Sequence, residues 1–358
     1  MASPDRGEGS ALAPPLAAPQ HGPRPLILFL DMLARETAGD PQRTARTLAG
    51  LRAYQEAPRE PPRAPMPAIA EQRGAALRDY GGGGRPVLFV PSLINPPGIL
   101  DLGERSLLRW LAARGHRVLL LDWGEEVSAR SDLSIAGHVT DILLPLMTRI
   151  AKPPALVGYC LGGTMAIAAA ARAPVSSLAT IAAPWRFSGY GEQARSELAQ
   201  LWSYSHPAAE ALGVLPMEVL QSAFWNLDPR RTIAKFEAFA NAEAGGDQTR
   251  SFVQLEDWAN DGPPIGLASA RELFESFLAR DDPGRGGWTV GAGAVDPHRL
   301  PCPALHILST TDRIVPAATA PPGGERLELG LGHVGMVVGG RARAALWEPL
   351  DAWLSQSR

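Results

Sequence analysis

Cys160 stands between Gly158 and Gly162, after the apolar run Leu156-Val157 and ahead of an alanine-rich segment. A nucleophile carried on a sharp strand-to-helix turn needs glycine two residues to either side, because side chains there would strike the strand or the helix. Gly158-Tyr159-Cys160-Leu161-Gly162-Gly163 meets that requirement with sulfur in place of the more familiar serine oxygen. Helix N-terminal N–H groups directed at the sulfur favour a thiolate, and the backbone N–H of Leu161 supplies half of an oxyanion hole. An isolated cysteine is more commonly a small buried hydrophobe. The order strand, glycine, cysteine, glycine, helix is what favours a nucleophile here.

A sulfur nucleophile needs a base, and the base needs a group to orient it. In α/β-hydrolase order the acid and then the histidine follow the nucleophile, each after a sheet strand. Asp312 lies in Ser309-Thr310-Thr311-Asp312-Arg313 after the apolar run 304–308, and His333 lies in Gly332-His333-Val334-Gly335 after a strand ending near Leu329. The other histidines fall elsewhere: His21 in the first segment, His116 and His138 away from strand ends, His206 and His298 in or beside a helical stretch, His306 in mid-strand. Asp281, Asp282 and Asp296 compete with Asp312, but none follows a sheet strand.

The elements that must position these groups read as α/β. Strands are expected at 75–80, 86–90, 117–122, 155–159 and 178–182, alternating with helices near 106–114, 135–150 and 163–172, the signature of a doubly wound, mostly parallel sheet. From 184 to 290 strand signals vanish and tryptophans such as Trp202, Trp225 and Trp258 accompany helical segments, so a helical cap or lid is expected between core parts 68–183 and 291–358. Ahead of the core, residues 1–24 are too rich in Pro, Ala and Gly to bury much and read as a flexible tail. Two helices and a proline-rich linker fill 25–67. Asp40-Pro41 marks the second start, with Leu48, Leu51 and Tyr54 expected on one face.

The chain has 358 residues and a formal net charge of −3, which gives no reason to expect nucleic acid as a partner. Its two cysteines, Cys160 and Cys302, form no metal spacing, so neither metal nor bound cofactor is expected. A disulfide would consume the nucleophile, which points to a reducing cytoplasm. The first residues show no apolar core after a basic start, so no signal peptide is expected, and no stretch is long enough for a membrane span.

Six segments in order resemble the polyhydroxyalkanoate synthases of the α/β-hydrolase superfamily: 91–102 with Leu93-Ile94-Asn95, Leu121-Asp122-Trp123-Gly124, the Cys160 box, 254–261, 312–316 and 332–335. The resemblance covers roughly residues 75 to 340. It implies Cys160 as acyl carrier, His333 as general base and Asp312 as its partner. The reaction implied is polymerisation of (R)-3-hydroxyacyl-CoA with release of CoA, the oxyanion lying between the Leu161 N–H and one near Leu93. It further implies the short type of synthase, working as a homodimer or with a second subunit. The chain departs from the pattern at Arg313, where the family has histidine, and at Arg186, where it has an acid. Dienelactone hydrolases share the Gly-Tyr-Cys-Leu-Gly-Gly box, so a cysteine-dependent esterase or thioesterase stays open, as does an inactive granule or subunit partner.

Overall fold

The computed structural model describes residues 21–61, 63–243 and 245–356. Most of the expected tail lies outside them. Residues 21–24 run along the insertion, where His21 faces Asp257 at 3.7 Å.

Eight strands form the central sheet: β1 (Ala68–Gln72), β2 (Ala75–Asp79), β3 (Pro86–Val90), β4 (Arg117–Asp122), β5 (Ala155–Tyr159), β6 (Ser177–Ile181), β7 (Ala304–Ser309) and β8 (Glu325–Leu329). Their order is β1-β2-β4-β3-β5-β6-β7-β8, parallel throughout except for the β1–β2 and β2–β4 pairs. Strands β3, β5 and β6 are buried along their whole length, as uninterrupted apolar runs in a parallel sheet require. The strand order reverses between β3 and β5. Their carboxyl ends therefore lie side by side, Val90 opposite Gly158, which is where open α/β sheets place ligands. β1 was not expected from the sequence: it is a largely exposed edge strand whose residues Ala68-Ile69-Ala70-Glu71-Gln72 carry no clear apolar alternation.

Helices α1 (Leu26–Glu36) and α2 (Pro41–Glu56) precede the sheet. The Asp40 side chain caps α2 by accepting from the Arg43 N–H at 2.9 Å, with Pro41 in the first turn. Within the core follow α3 (Leu107–Ala113), α4 (135–147), continuous through a π-helical stretch at 139–143, and α5 (Leu161–Ala170). The insertion contributes α6 (Glu192–Leu212), α7 (Met217–Asn226), α8 (Pro229–Phe239), α9 (Asp247–Ala259) and α10 (267–279); α11 (343–356) closes the chain. The insertion is not purely helical. A short antiparallel pair joins Val214–Leu215 to Ile265–Gly266, too brief to leave a periodic signal.

The two N-terminal helices dock on the insertion. Phe29, Met32, Leu33 and Tyr54 share a buried cluster with Trp225, Phe236 and Phe239, and Phe29 meets Trp225 and Phe236 edge to face at 5.6 and 5.2 Å. The buried face of α2 is Thr47, Gly50, Leu51 and Tyr54; Leu48, expected there, is 41% exposed. Helix α2 instead crosses α8 so closely at Gly50 that a Cβ there would lie 1.8 Å from the Phe236 carbonyl oxygen.

Gly50→Val should therefore lower stability by about 2 kcal/mol or more, as overpacking at a rigid contact does. Chemical denaturation checks this, and an unchanged midpoint would mean that α2 and α8 do not meet there. Burial, with Arg326 adding to it, pushes the His306 imidazole down to about 4, and its Nδ1 is 2.8 Å from the Thr180 hydroxyl. The unfolded chain binds that proton near pH 6.5, so the stability from a neutral His306 is present above pH 6.5 and lost as pH falls through about 4. By NMR its ring signals should stay fixed between about pH 8 and pH 5, whereas a solvent-like midpoint would show an accessible ring.

Candidate active site

Cys160 opens α5 at φ 54°, ψ −131°, a conformation that costs a non-glycine residue energy and persists only where its surroundings hold it. Two backbone bonds hold it here. The Cys160 N–H donates to Ile181 at 2.9 Å, tying the turn to β6, and the Gly163 N–H donates to the Cys160 carbonyl at 2.8 Å. The flanking glycines are sterically required. A Cβ on Gly158 would lie 2.4 Å from the Gly163 Cα, and one on Gly162 would lie 2.1 Å from the Val90 carbonyl oxygen. Leu161 is the first residue of α5, so its N–H has no carbonyl a turn earlier to pair with. Leu93 lies in the loop after β3, where the Ile94 N–H is held by the Ser92 hydroxyl at 3.0 Å.

Asp312 and His333 meet beside this turn. The His333 Nδ1–H donates to Asp312 Oδ2 at 2.6 Å, while Asp312 Oδ1 accepts the N–H groups of Ile314 and Val315 at 2.8 and 3.0 Å. The carboxylate is thus held from both sides, and the tautomer it imposes leaves His333 Nε2 for the sulfur. His333 is buried, which by itself would drive off its proton. Negative charge at Cys160, then at Asp312, with hydrogen bonds to both, outweighs burial and raises the imidazole to about 10. When the sulfur is anionic, the imidazole keeps its proton.

Two phenols that sequence reasoning passed over complete the surroundings. The Tyr159 ring lies 5.1 Å from that of His333, and its hydroxyl donates to the His333 carbonyl at 3.4 Å. Tyr190 ends a short turn after Phe187. Burial, then negative charge at Cys160 and Asp312, pushes both hydroxyls well above the usual range, so both stay neutral. Tyr159 is adjacent to Cys160 in sequence and could have been noticed. Tyr190 had no such signal.

The competing acids have other tasks. Asp281 is buried and accepts the N–H groups of Phe187 and Gly284, Asp282 pairs with Arg280, and Asp296 caps the turn at His298. Cys160 and Cys302 are both free thiols, and burial pushes the Cys302 thiol up.

Several motifs singled out in the sequence touch one another. The Asn95 amide donates to the carbonyls of Ala259 and Asp261, both at 3.2 Å, and the Trp258 indole donates to Pro96 at 2.8 Å. The Trp123 indole donates to Pro91 at 3.1 Å. Asp257 takes the Tyr54 hydroxyl at 2.6 Å and both forks of Arg59 at 3.0 Å. The loop after β3, the end of β4 and the end of α9 are thereby fixed as one assembly around the mouth of the site.

Residues 87–346 match the alpha/beta hydrolase family. The chain belongs to that family. It is also similar to the poly(3-hydroxyalkanoate) polymerase subunit PhaC of Haloferax mediterranei, 28% identical over 294 residues that cover 76% of this chain and 58% of that protein. The PhaC subunit of Allochromatium vinosum is 26% identical over 291 residues, covering 76% of this chain and 81% of that one. The chain thus spans 58% and 81% of the lengths of these two relatives. A solved structure from Sulfolobus solfataricus superposes with a TM-score of 0.51 at 17% identity, over 79% of this chain and 90% of that one, which speaks for the fold alone. In this alpha/beta hydrolase Arg313 pairs with Asp228 of the insertion at 2.8 Å, and Arg186 is exposed.

Iodoacetamide should label Cys160 at least about tenfold faster than Cys302, because the His333 imidazole beside Cys160 can accept its proton while burial pushes the Cys302 thiol up. Peptide mass spectrometry reads the two sites separately. His333→Gln should erase the preference, and equal labelling in the unaltered chain would contradict the pairing.

Proposed function

We propose that this alpha/beta hydrolase is an acyltransferase of the polyhydroxyalkanoate synthase type, which takes (R)-3-hydroxyacyl groups from CoA onto Cys160 and releases CoA. The observation that carries this reading is His333, held by Asp312 at 2.6 Å beside Cys160, in a chain similar over about three quarters of its length to polymerase subunits. Cys160 sulfur attacks the thioester carbonyl and forms the new C–S bond. The oxyanion is held by the Leu161 N–H and one near Leu93, and the bond to the CoA sulfur then breaks. The departing CoA thiolate takes the proton from His333.

Acylation also resets the base. Charge at Cys160 is the largest of the contributions that raise His333, and a thioester carries none. The imidazole, having given its proton to CoA, is less basic in the acyl-enzyme and can deprotonate the 3-hydroxyl of the next unit. That oxygen attacks the Cys160 thioester, a C–O bond replaces the C–S bond, and the sulfur leaves as thiolate. Sulfur suits this cycle because thioester-to-thiol exchange is nearly thermoneutral, while transfer to an alcohol is downhill.

CoA enters as substrate, and no cofactor is required. We further propose action in the cytoplasm, as a homodimer or with a second synthase subunit. Among the described residues no helix is long and apolar enough to cross a membrane.

Incubation with 3-hydroxybutyryl-CoA should release free CoA and form polymer. Cys160→Ala should abolish both with the fold intact, and His333→Gln should lower the rate by about two orders of magnitude or more. CoA release with free 3-hydroxybutyrate and no polymer would assign a thioesterase instead. Turnover surviving in Cys160→Ala would remove this sulfur from the mechanism.

A further inference from the structure

A cavity of about 320 Å³ opens beyond the loop after β3, between the ends of β3 and β4 and the Gly262–Gly266 stretch of the insertion, and neither Cys160 nor His333 lines it. Its size falls at the lower end of the range for small-molecule sites, about 300 Å³ and up. Leu93, Pro97, Val127 and Ile265 give it an apolar wall. His138, a residue only 3% exposed, is part of its lining.

The His138 ring has one nitrogen committed and one not. Nδ1 lies 2.8 Å from the Ser134 carbonyl, which accepts only, so Nδ1 carries the hydrogen and Nε2 presents a lone pair. Burial pushes this imidazole down to about 4, which keeps Nε2 an acceptor at neutral pH. Among the described residues Nε2 has no hydrogen-bond partner, although the Trp123 indole packs edge-on to the ring at 5.5 Å. The neighbouring Ser269 hydroxyl is already donated to the Leu133 carbonyl at 2.8 Å. An acceptor with no protein donor, on a residue nearly enclosed and lining a cavity, can take one from a ligand.

Charge narrows the class. Asp122, Glu125 and Asp261 line the cavity with Arg130 as the one guanidinium, and Arg130 spends its two terminal nitrogens on the carbonyls of Glu126 and Gly124 at 2.8 Å each. Asp122 is itself paired with Arg78 at 3.0 Å, but with Glu125 and Asp261 a carboxylate or phosphate would still meet more negative charge than positive there, so the ligand is not an anion. We infer that this cavity is a second binding site, for a neutral hydroxy ester whose hydroxyl donates to His138 Nε2 and whose alkyl part lies along the apolar wall. The inference rests on the acyltransferase reading, because such an ester is what chain growth on Cys160 would make.

The test uses the full chain carrying Cys160→Ala, so that no ester is consumed, titrated with methyl 3-hydroxybutyrate and followed by calorimetry and by the 15N shift of His138. The hydroxy ester should bind about tenfold more tightly than methyl butyrate, the worth of one hydrogen bond, and more tightly than the 3-hydroxybutyrate anion. The His138 Nε2 signal should move with the hydroxy ester only, and His138→Phe should erase the preference for the hydroxyl. Equal affinity for the two esters, preference for the anion, or a His138 signal that does not move would overturn the site; because these compare ligands on an unaltered His138, they do not depend on the variant's folding. CoA release by the wild-type chain without ester selectivity would defeat this site alone. Ester selectivity without CoA release would defeat the acyltransferase reading alone.

Discussion

The turn that carries Cys160 exists only because backbone meets backbone there with no side chain between. The carbonyls of Val90 and Pro91 press on Gly162, and Gly163 presses on Gly158, so β3, β5 and α5 converge at a spacing only glycine allows. That convergence holds Cys160 at positive φ just past the carboxyl end of β5. Residues arriving from elsewhere are then fixed with respect to it: Asp312 by two backbone donors from its own loop, and His333 by Asp312. If the strained turn relaxed, the imidazole would lose the neighbour that most raises its basicity.

The sequence made the core legible because its physics is local. Continuous apolar runs such as Pro86–Val90 have one stable place, inside a parallel sheet, and the glycine pattern around Cys160 has few explanations besides a tight turn. Strand ends followed by Asp312 and His333 were readable for the same reason, and the structure brings the two together at 2.6 Å. Features set by distant partners were not readable. Leu48 looked like a core residue from its spacing, but α2 is turned so that Gly50 meets Phe236, and nothing within α2 reports that neighbour. The edge strand β1 offered no alternation to recognise, and Tyr190 reaches the site only through the path of the chain after β6.

The segment 254–261 drew notice as a motif, and the structure shows what its residue types do mechanically. Glu256 takes Lys235, Asp257 takes Tyr54 and Arg59, Trp258 takes Pro96, and the carbonyls of Ala259 and Asp261 take Asn95. The end of α9 thus joins the N-terminal helices, the insertion and the loop after β3. Arg313 adds a second link by pairing with Asp228 at the start of α8, next door to the acid that orients His333. A displacement of the insertion would be felt at the loop after β3 and at the loop holding Asp312.

The docking of α1 and α2 on the insertion also bears on how the chain is made. Phe29 and Tyr54 belong to a cluster with Trp225 and Phe236, residues that follow almost two hundred positions later. At roughly 5–20 residues per second a ribosome takes on the order of 10–40 s to cover that distance. Throughout that interval the greasy sides of both early helices have no place to go, while the sheet is still being synthesised. The cluster under α1 and α2 therefore cannot close until the insertion has been made, so these two helices settle late.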